Sequence, residues 1–148
     1  MSKAPTVPYA TTLHVRDHCL CLHAQRAARG LARRFDDALR PLELTNGQFS
    51  LLMSLNRPEP PSMGAVAGLL GMDRTTLTAA LKPLERRGLV KTTADAHDRR
   101  SRLLTLTRQG RALLKRAVPT WKRTHAEIDR LLAEHNGGDL RAALRTMA

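Results

Sequence analysis

Apolar side chains recur every three or four residues along most of the chain, the spacing that predicts amphipathic helices. One such run spans residues 13–39 and predicts a single long helix that ends before Pro41. A second helix is predicted after a cap at Thr45 or Asn46. Residues 1–12 have no apolar period, so we expect a loose arm there.

Two short helices are predicted next, joined by a tight turn. Ser62 is placed to cap the first of them, and Gly71 supplies a left-handed exit. Asp73 is placed to cap the second, which ends at Gly88. Two helices joined by a turn of a few residues form a helix-turn-helix layout. The apolar stripe that we expect the second helix to bury comprises Leu77, Ala80, Leu81 and Leu84.

The pattern then changes to that of a β-hairpin. Residues 89–93 and 102–106 resemble strands, and the polar residues 94–101 between them resemble a loop. Beyond the hairpin, Thr107 is placed to cap a long helix that runs toward Glu134, with an interruption or kink near Pro119. A pair of glycines at 137–138 is expected to separate this helix from a short last one. The pattern predicts a mainly α (α+β) fold with a winged helix-turn-helix.

Charge narrows the class of partner. The 148 residues include 25 Lys and Arg against 13 Asp and Glu, a formal net charge of +12, which indicates a polyanionic partner. Nine of the basic residues lie between Arg99 and Ala126, a stretch without any acidic residue. There is no apolar run of about 18 residues and no charged-then-apolar leader, so we expect neither a membrane span nor a secretory signal. We therefore expect the protein to be in the cytoplasm.

The second helix of the motif carries polar side chains that can reach a DNA groove. A step of 100° per residue places Thr75, Thr78, Lys82 and Arg86 opposite the apolar stripe. Lysine can reach guanine O6 and N7, and threonine can bond a base or touch a thymine methyl. Arg86, near the far end, and Arg74, beside the free N–H groups of the first turn, suit phosphate.

These residues closely resemble the multiple-antibiotic-resistance regulator (MarR) family. The similarity extends over nearly the whole chain beyond the arm, and the order and spacing of its fragments make it specific. The fragments are LTNGQF at 44–49, LLGMDRTTLT at 69–78, LERRGLV at 84–90, DRRS at 98–101 and LTLT at 104–107, followed by Gly110.

The resemblance implies a homodimer in which the first and last helices intertwine. Each winged domain then enters the major groove of a palindromic operator, Arg100 probes the minor groove, Asp98 orients it and Arg99 lies near phosphate. A narrow minor groove has an enhanced negative potential that attracts arginine. The candidate DNA contacts are Arg74, Thr75, Thr76, Thr78, Lys82, Arg86, Asp98, Arg99 and Arg100.

On this resemblance the chain divides into four segments. The expected segments are a loose arm at 1–12, a dimerisation helix at 13–44, a DNA-binding winged helix-turn-helix domain at 45–107 and C-terminal dimerisation helices at 108–148. The function implied is that of a transcriptional regulator that binds double-stranded DNA at a specific sequence and acts as a repressor.

The resemblance also implies a switch. Many members leave DNA when a small anionic aromatic binds among the first, second and fifth helices, and the polar candidates on the first are His14, Arg16, His18 and His23. The alternative is a thiol-based redox switch, because Cys21 lies where a hydroperoxide-sensing branch of the family has its reactive cysteine. Against it, the tyrosines that surround that thiol have no counterpart, since the single Tyr of the chain is Tyr9.

Other classes of function receive little support. The chain has no phosphate loop, no dinucleotide fingerprint and no Gly-x-Ser-x-Gly, so we expect no enzyme and no cofactor. Cys19 and Cys21 lie about 200° apart on a helix, so a metal site that collects both is not expected. An RNA-binding module is a weaker alternative, because four aromatic residues are too few to stack bases.

Overall fold

The computed structural model describes residues 6–148, which form a mostly helical fold with one two-stranded sheet. Among these residues, no helix combines the length and apolar character needed to cross a bilayer. In chain order the elements are α1 (Tyr9–His18), α2 (Leu20–Leu39), a 3-10 turn (Arg40–Leu42), α3 (Asn46–Ser54), α4 (Met63–Leu70), α5 (Arg74–Arg86), β1 (Val90–Ala94), β2 (Arg102–Leu106), α6 (Arg108–Leu131) and α7 (Gly137–Met147).

The N-terminal region differs from the single helix predicted over 13–39. Helix formation already begins at Tyr9, within the segment expected to be an arm, and residues 1–5 of that arm lie outside the described part. The helix then breaks at Cys19, whose backbone is extended (φ −70°, ψ 108°). The Cys19 Sγ accepts the Leu22 N–H at 3.5 Å, so this residue caps the second helix rather than continuing the first.

The C-terminal helices also correct the prediction. Helix α6 runs through Pro119 without a break, so of the interruption or kink predicted there, the interruption is absent. Buried residues on both sides of the proline hold one face of α6 against the core, so packing outweighs the lost backbone hydrogen bond. The two glycines do not separate the helices but are the first residues of α7, which Asn136 caps through its side chain.

The helix caps predicted from the sequence are confirmed. The side chains of Ser62, Asp73 and Thr107 each accept a backbone N–H from the first turn of the helix that follows. Of the two alternatives for α3, Thr45 is the cap, and it forms a capping box with Gln48. Gly71 takes the predicted left-handed conformation, with φ of 64°.

A core of mainly aliphatic side chains joins the helix-turn-helix to the hairpin and to α6. The strands pair antiparallel with Val90 opposite Leu106, and the Leu104 N–H donates to the Pro61 carbonyl, which ties the start of α4 to the hairpin. The hairpin therefore packs beside the helix-turn-helix as a wing. The largest fully buried side chains are Leu39, Leu51, Leu52, Val66, Leu77, Leu84 and Leu104.

Candidate nucleic-acid interface

The second helix of the helix-turn-helix, α5, presents one polar face to solvent. Its buried side chains are Leu77, Leu81 and Leu84, whereas the predicted contact residues on the other face are exposed. The exposed set comprises Arg74, Thr75, Thr76, Thr78, Lys82 and Arg86. The split matches the 3.6-residue period of the sequence, which is why the pattern could predict it.

Asp73 fixes the start of this helix. Its Oδ1 accepts the Thr76 N–H at 2.7 Å, and hydrogen bonds from the Thr76 backbone and side chain hold the pKa of the Asp73 carboxyl below its ordinary value. This contribution to stability is present at neutral pH and is lost as the pH falls through the lowered pKa. Asp73 and Thr76 therefore fix the first turn of α5.

Thr78 has its hydroxyl proton already committed. Its Oγ1 donates to the Arg74 carbonyl one turn earlier, at 2.8 Å. A threonine hydroxyl has one proton and two lone pairs. Thr78 can therefore accept from a base amino group or present its methyl to thymine, but it does not donate in this rotamer.

Asp98 shapes the tip of the wing through the backbone. Its Oδ1 accepts the Arg100 N–H at 3.0 Å, and its carbonyl accepts the Ser101 N–H at 3.0 Å. No ion pair joins Asp98 to Arg99 or Arg100 in the part of the chain that the structure describes. Asp98 thus folds the turn that carries the arginines while leaving both guanidinium groups exposed.

The wing and α5 face a shared concavity of about 190 Å³. Arg74 and Thr78 line it from α5, and Arg100 and Arg102 line it from the wing, with Met63 completing the wall. Three arginines therefore line the concavity together, one from α5 and two from the wing. Arg102 is not among the contacts predicted from the sequence. Its position in the basic stretch without acidic residues could have identified it.

A side-chain hydrogen bond holds the wing against α5. The Thr92 Oγ1 on β1 donates to the Glu85 Oε1 on α5. The orientation of the wing relative to α5 is therefore fixed by a polar contact as well as by the shared core. The other six predicted contacts are exposed and do not line the concavity: Thr75, Thr76, Lys82, Arg86, Asp98 and Arg99.

The polar residues proposed for a ligand or redox site on the first helix do not form one cavity. Arg16 pairs with its neighbour Asp17 at 2.6 Å, which lowers the pKa of the Asp17 carboxyl. The His14 and His18 rings stack with centroids 4.2 Å apart. His23 instead lines an open surface depression with arginines of α2. Within residues 6–148, no cluster of three or more His, Cys, Asp or Glu could hold a metal ion.

An apolar cavity of about 480 Å³ lies elsewhere, between α3, α4 and α6. The Trp121 ring lies nearly parallel to the Phe49 ring (14°, centroids 6.2 Å apart) and forms part of the wall with it. Lys122 is the charged residue of the lining, which comprises Phe49, Ser50, Met53, Ser54, Leu69, Val118, Trp121 and Lys122. Of the first, second and fifth predicted helices, among which the ligand was expected, the second (α3) and the fifth (α6) line this cavity, and α4 lines it in place of the first. Its lining residues were not predicted, because they come from segments far apart in the chain.

The two cysteines are free thiols in different settings. Cys21 is exposed, and its Sγ accepts the Gln25 Nε2–H at 3.1 Å. Cys19 is half-buried at the break between α1 and α2. Exposure makes Cys21 the more accessible of the two to an oxidant.

Comparison with known proteins agrees with this arrangement. The family model described as MarR family matches residues 44–101. The fold is similar to that of the M. tuberculosis transcriptional regulator MosR in complex with DNA, at 38% identity over 88% of this chain and 93% of that chain, with a TM-score of 0.77. It is also similar to the transcriptional repressor CouR bound to a 23-mer DNA duplex, at 34% identity over 90% and 92% of the two chains (TM-score 0.73). A third similar structure concerns regulation of DNA binding of Bordetella bronchiseptica BpsR by 6-hydroxynicotinic acid (25% identity, 88% and 91% coverage, TM-score 0.71).

Proposed function

Because the chain belongs to the MarR family of transcriptional regulators, we propose that it binds a palindromic duplex operator in the cytoplasm as a homodimer and represses transcription. Family members are regulators rather than enzymes. In this proposal α5 is the recognition helix, which enters the major groove, and the wing reaches the adjacent minor groove. A small planar anion releases the protein from DNA.

One observation carries the proposal: the recognition helix and the wing face the same concavity. Arg74, Arg100 and Arg102 line it, and no acidic side chain is part of its lining. Guanidinium groups bind phosphate oxygens with short, charge-assisted hydrogen bonds. A duplex seated on α5 would therefore place its backbone against this concavity and bring the wing tip to a groove edge.

The homodimer is supported by apolar side chains that a single chain leaves uncovered. Helices α1 and α7 have no buried residue, and α2 buries only its last turns, at Phe35 and Leu39. Helices that leave this much apolar surface exposed indicate an interaction site. The exposed apolar side chains of these three helices include Tyr9, Val15, Leu20, Leu31, Leu140, Leu144 and Met147.

Selection of bound duplexes from a random pool tests the proposal. We expect an enriched palindrome whose half-site centres lie about 10 base pairs apart, since a two-fold dimer presents one recognition helix per groove. The bound complex should contain two chains per duplex. Recovery of no common sequence, or stronger competition by structured RNA than by unrelated duplex DNA, would overturn the proposal in favour of a general or RNA-binding module.

The cavity between α3, α4 and α6 is the proposed effector site. Its volume falls in the range of small-molecule pockets, which combine apolar walls with a few polar groups. The Phe49 and Trp121 rings suit a planar ligand, and Lys122 suits its anionic group. Because the walls belong both to the helix-turn-helix and to the long helix α6, a ligand there would change their relative position.

Substitution of Lys122 by methionine is expected to remove the preference for anions while keeping the apolar walls. Titration with 6-hydroxynicotinate or benzoate should quench the fluorescence of Trp121, the single tryptophan of the chain. In K122M the affinity for benzoate should fall about tenfold and that for neutral benzamide should change little. Arg123→Met removes a neighbouring charge outside the cavity lining and serves as the control. Equal loss for benzoate and benzamide would contradict the role of Lys122.

Oxidation of Cys21 is the second candidate switch, favoured by the exposure of its thiol. A peroxide can convert an accessible thiolate to a sulfenic acid, which a thiol reductant reverses. We expect peroxide to release the wild-type protein and C19S from DNA, but not C21S, as measured by a shift in gel mobility. If C21S is released as readily as the wild type, the redox alternative fails.

A further inference from the structure

Arg87 follows the recognition helix directly, yet its surroundings differ from those of Arg86. Arg86 is exposed, whereas Arg87 is half-buried. The Arg87 Nη1 donates to the backbone carbonyl of Glu43 at 2.6 Å, across 44 positions of the chain. A guanidinium hydrogen bond of this kind is stronger than one between neutral groups. It joins the C-terminal end of α5 to the corner between α2 and α3.

The corner that receives this bond is itself held to α2. Glu43 has a left-handed backbone (φ 54°), and its N–H donates to the Arg40 carbonyl at 2.8 Å. Asp36, on α2, accepts the Asn46 N–H at 2.6 Å through Oδ1. A corner fixed at both of its ends gives Arg87 an anchor whose position follows α2.

Apart from the shared core, the packing of α5 lies mainly within the winged unit. Helix α5 packs mainly against α4 and β1, which belong with it to the winged unit. The α2 helix carries the uncovered apolar face of the proposed dimer. A bond from the end of α5 to the α2–α3 corner therefore connects the DNA-reading unit to the scaffold.

We propose that Arg87 is a positioning residue that sets the separation of the two recognition helices of the dimer, and that it does not contact DNA. The inference rests on the proposed function, since it requires a dimer on a palindrome. It assigns the two consecutive arginines different roles. Arg86 faces solvent and suits phosphate, whereas Arg87 fixes the orientation of α5 relative to the scaffold.

The test compares R87A and R86A on the selected operator and on versions with one base pair added to or removed from its centre. The wild type should discriminate strongly among the three spacings. R87A should bind the original operator about tenfold more weakly, should lose a similar factor of discrimination among spacings, and should keep the wild-type slope of log affinity against log salt. R86A should reduce that slope by about 1 and keep the spacing preference.

The outcomes separate the inference from the proposed function. If R87A lowers the salt slope and keeps the spacing preference, Arg87 is a phosphate contact and the inference is overturned. If the wild type selects no palindrome, the proposed function itself fails. Should R87A not fold, as judged by circular dichroism, R87K keeps the charge but offers one ammonium group in place of the guanidinium fork. Reduced spacing discrimination in R87K then supports the inference, and unchanged discrimination overturns it.

Discussion

Replacing Arg100 with alanine is expected to lower operator affinity by about 5- to 150-fold, the range for loss of one specific arginine contact in a groove. The guanidinium is exposed at the edge of the concavity shared with α5, and the Asp98 carboxylate holds its backbone in the turn. An arginine in the minor groove gains from the local negative potential, so the loss should exceed that of a screened surface charge. Fluorescence anisotropy at a fixed salt concentration measures it.

Arg130→Ala provides the matched control for this measurement. Arg130 is exposed in the last turn of α6 and does not line the concavity, although its loss changes the net charge equally. We expect R130A to bind the operator within about twofold of the wild type. Equal losses in R100A and R130A would reduce the role of Arg100 to general electrostatic attraction.

The largest expected loss of stability comes from Gly110→Ala. Gly110 is buried in the first turn of α6, and a Cβ there would overlap the carbonyl oxygen of Leu89. That carbonyl cannot easily move away, because it accepts the Thr107 N–H at 3.1 Å. Overpacking against a fixed backbone atom costs about 3 kcal/mol, which corresponds to a fall of roughly 10 °C in Tm. Thermal unfolding followed by circular dichroism measures the change.

Gly68→Ala is the matched control, and it is expected to change Tm in the opposite direction. Gly68 is exposed within α4, and a Cβ there meets no atom within 4 Å. Alanine is favoured over glycine in a helix interior by about 0.5–1 kcal/mol. G68A should therefore raise Tm slightly, and a similar fall in both variants would contradict the role of the Leu89 carbonyl.

The sequence predicted the helix-turn-helix and the wing because their signals are local. Side-chain caps such as Asp73 act within three residues of themselves, and the stripe opposite Thr75 and Lys82 follows from helical geometry alone. The break at Cys19 escaped prediction, since cysteine is a weak capping residue and the apolar period continues beyond it. The interruption predicted at Pro119 is absent, because buried neighbours on both sides of it keep α6 continuous.

The features that the sequence did not predict depend on contacts between distant segments. The bond from Arg87 to Glu43 spans 44 positions, so no local pattern identifies Glu43 as the partner of Arg87. The cavity between α3 and α6 likewise arises when Phe49 meets Trp121. Arg102 joins the concavity only because the hairpin packs beside α4, where Leu104 bonds the Pro61 carbonyl.

Chemical footprinting of the selected operator tests most directly whether helix and wing of each subunit grip one duplex. We expect two symmetric sets of protections about 10 base pairs apart. In each set, guanine N7 in the major groove should be shielded from methylation and the adjacent minor groove from hydroxyl radicals. R100A should lose the minor-groove protection alone. Protection of a single groove in the wild type, or a footprint without two-fold symmetry, would contradict the account.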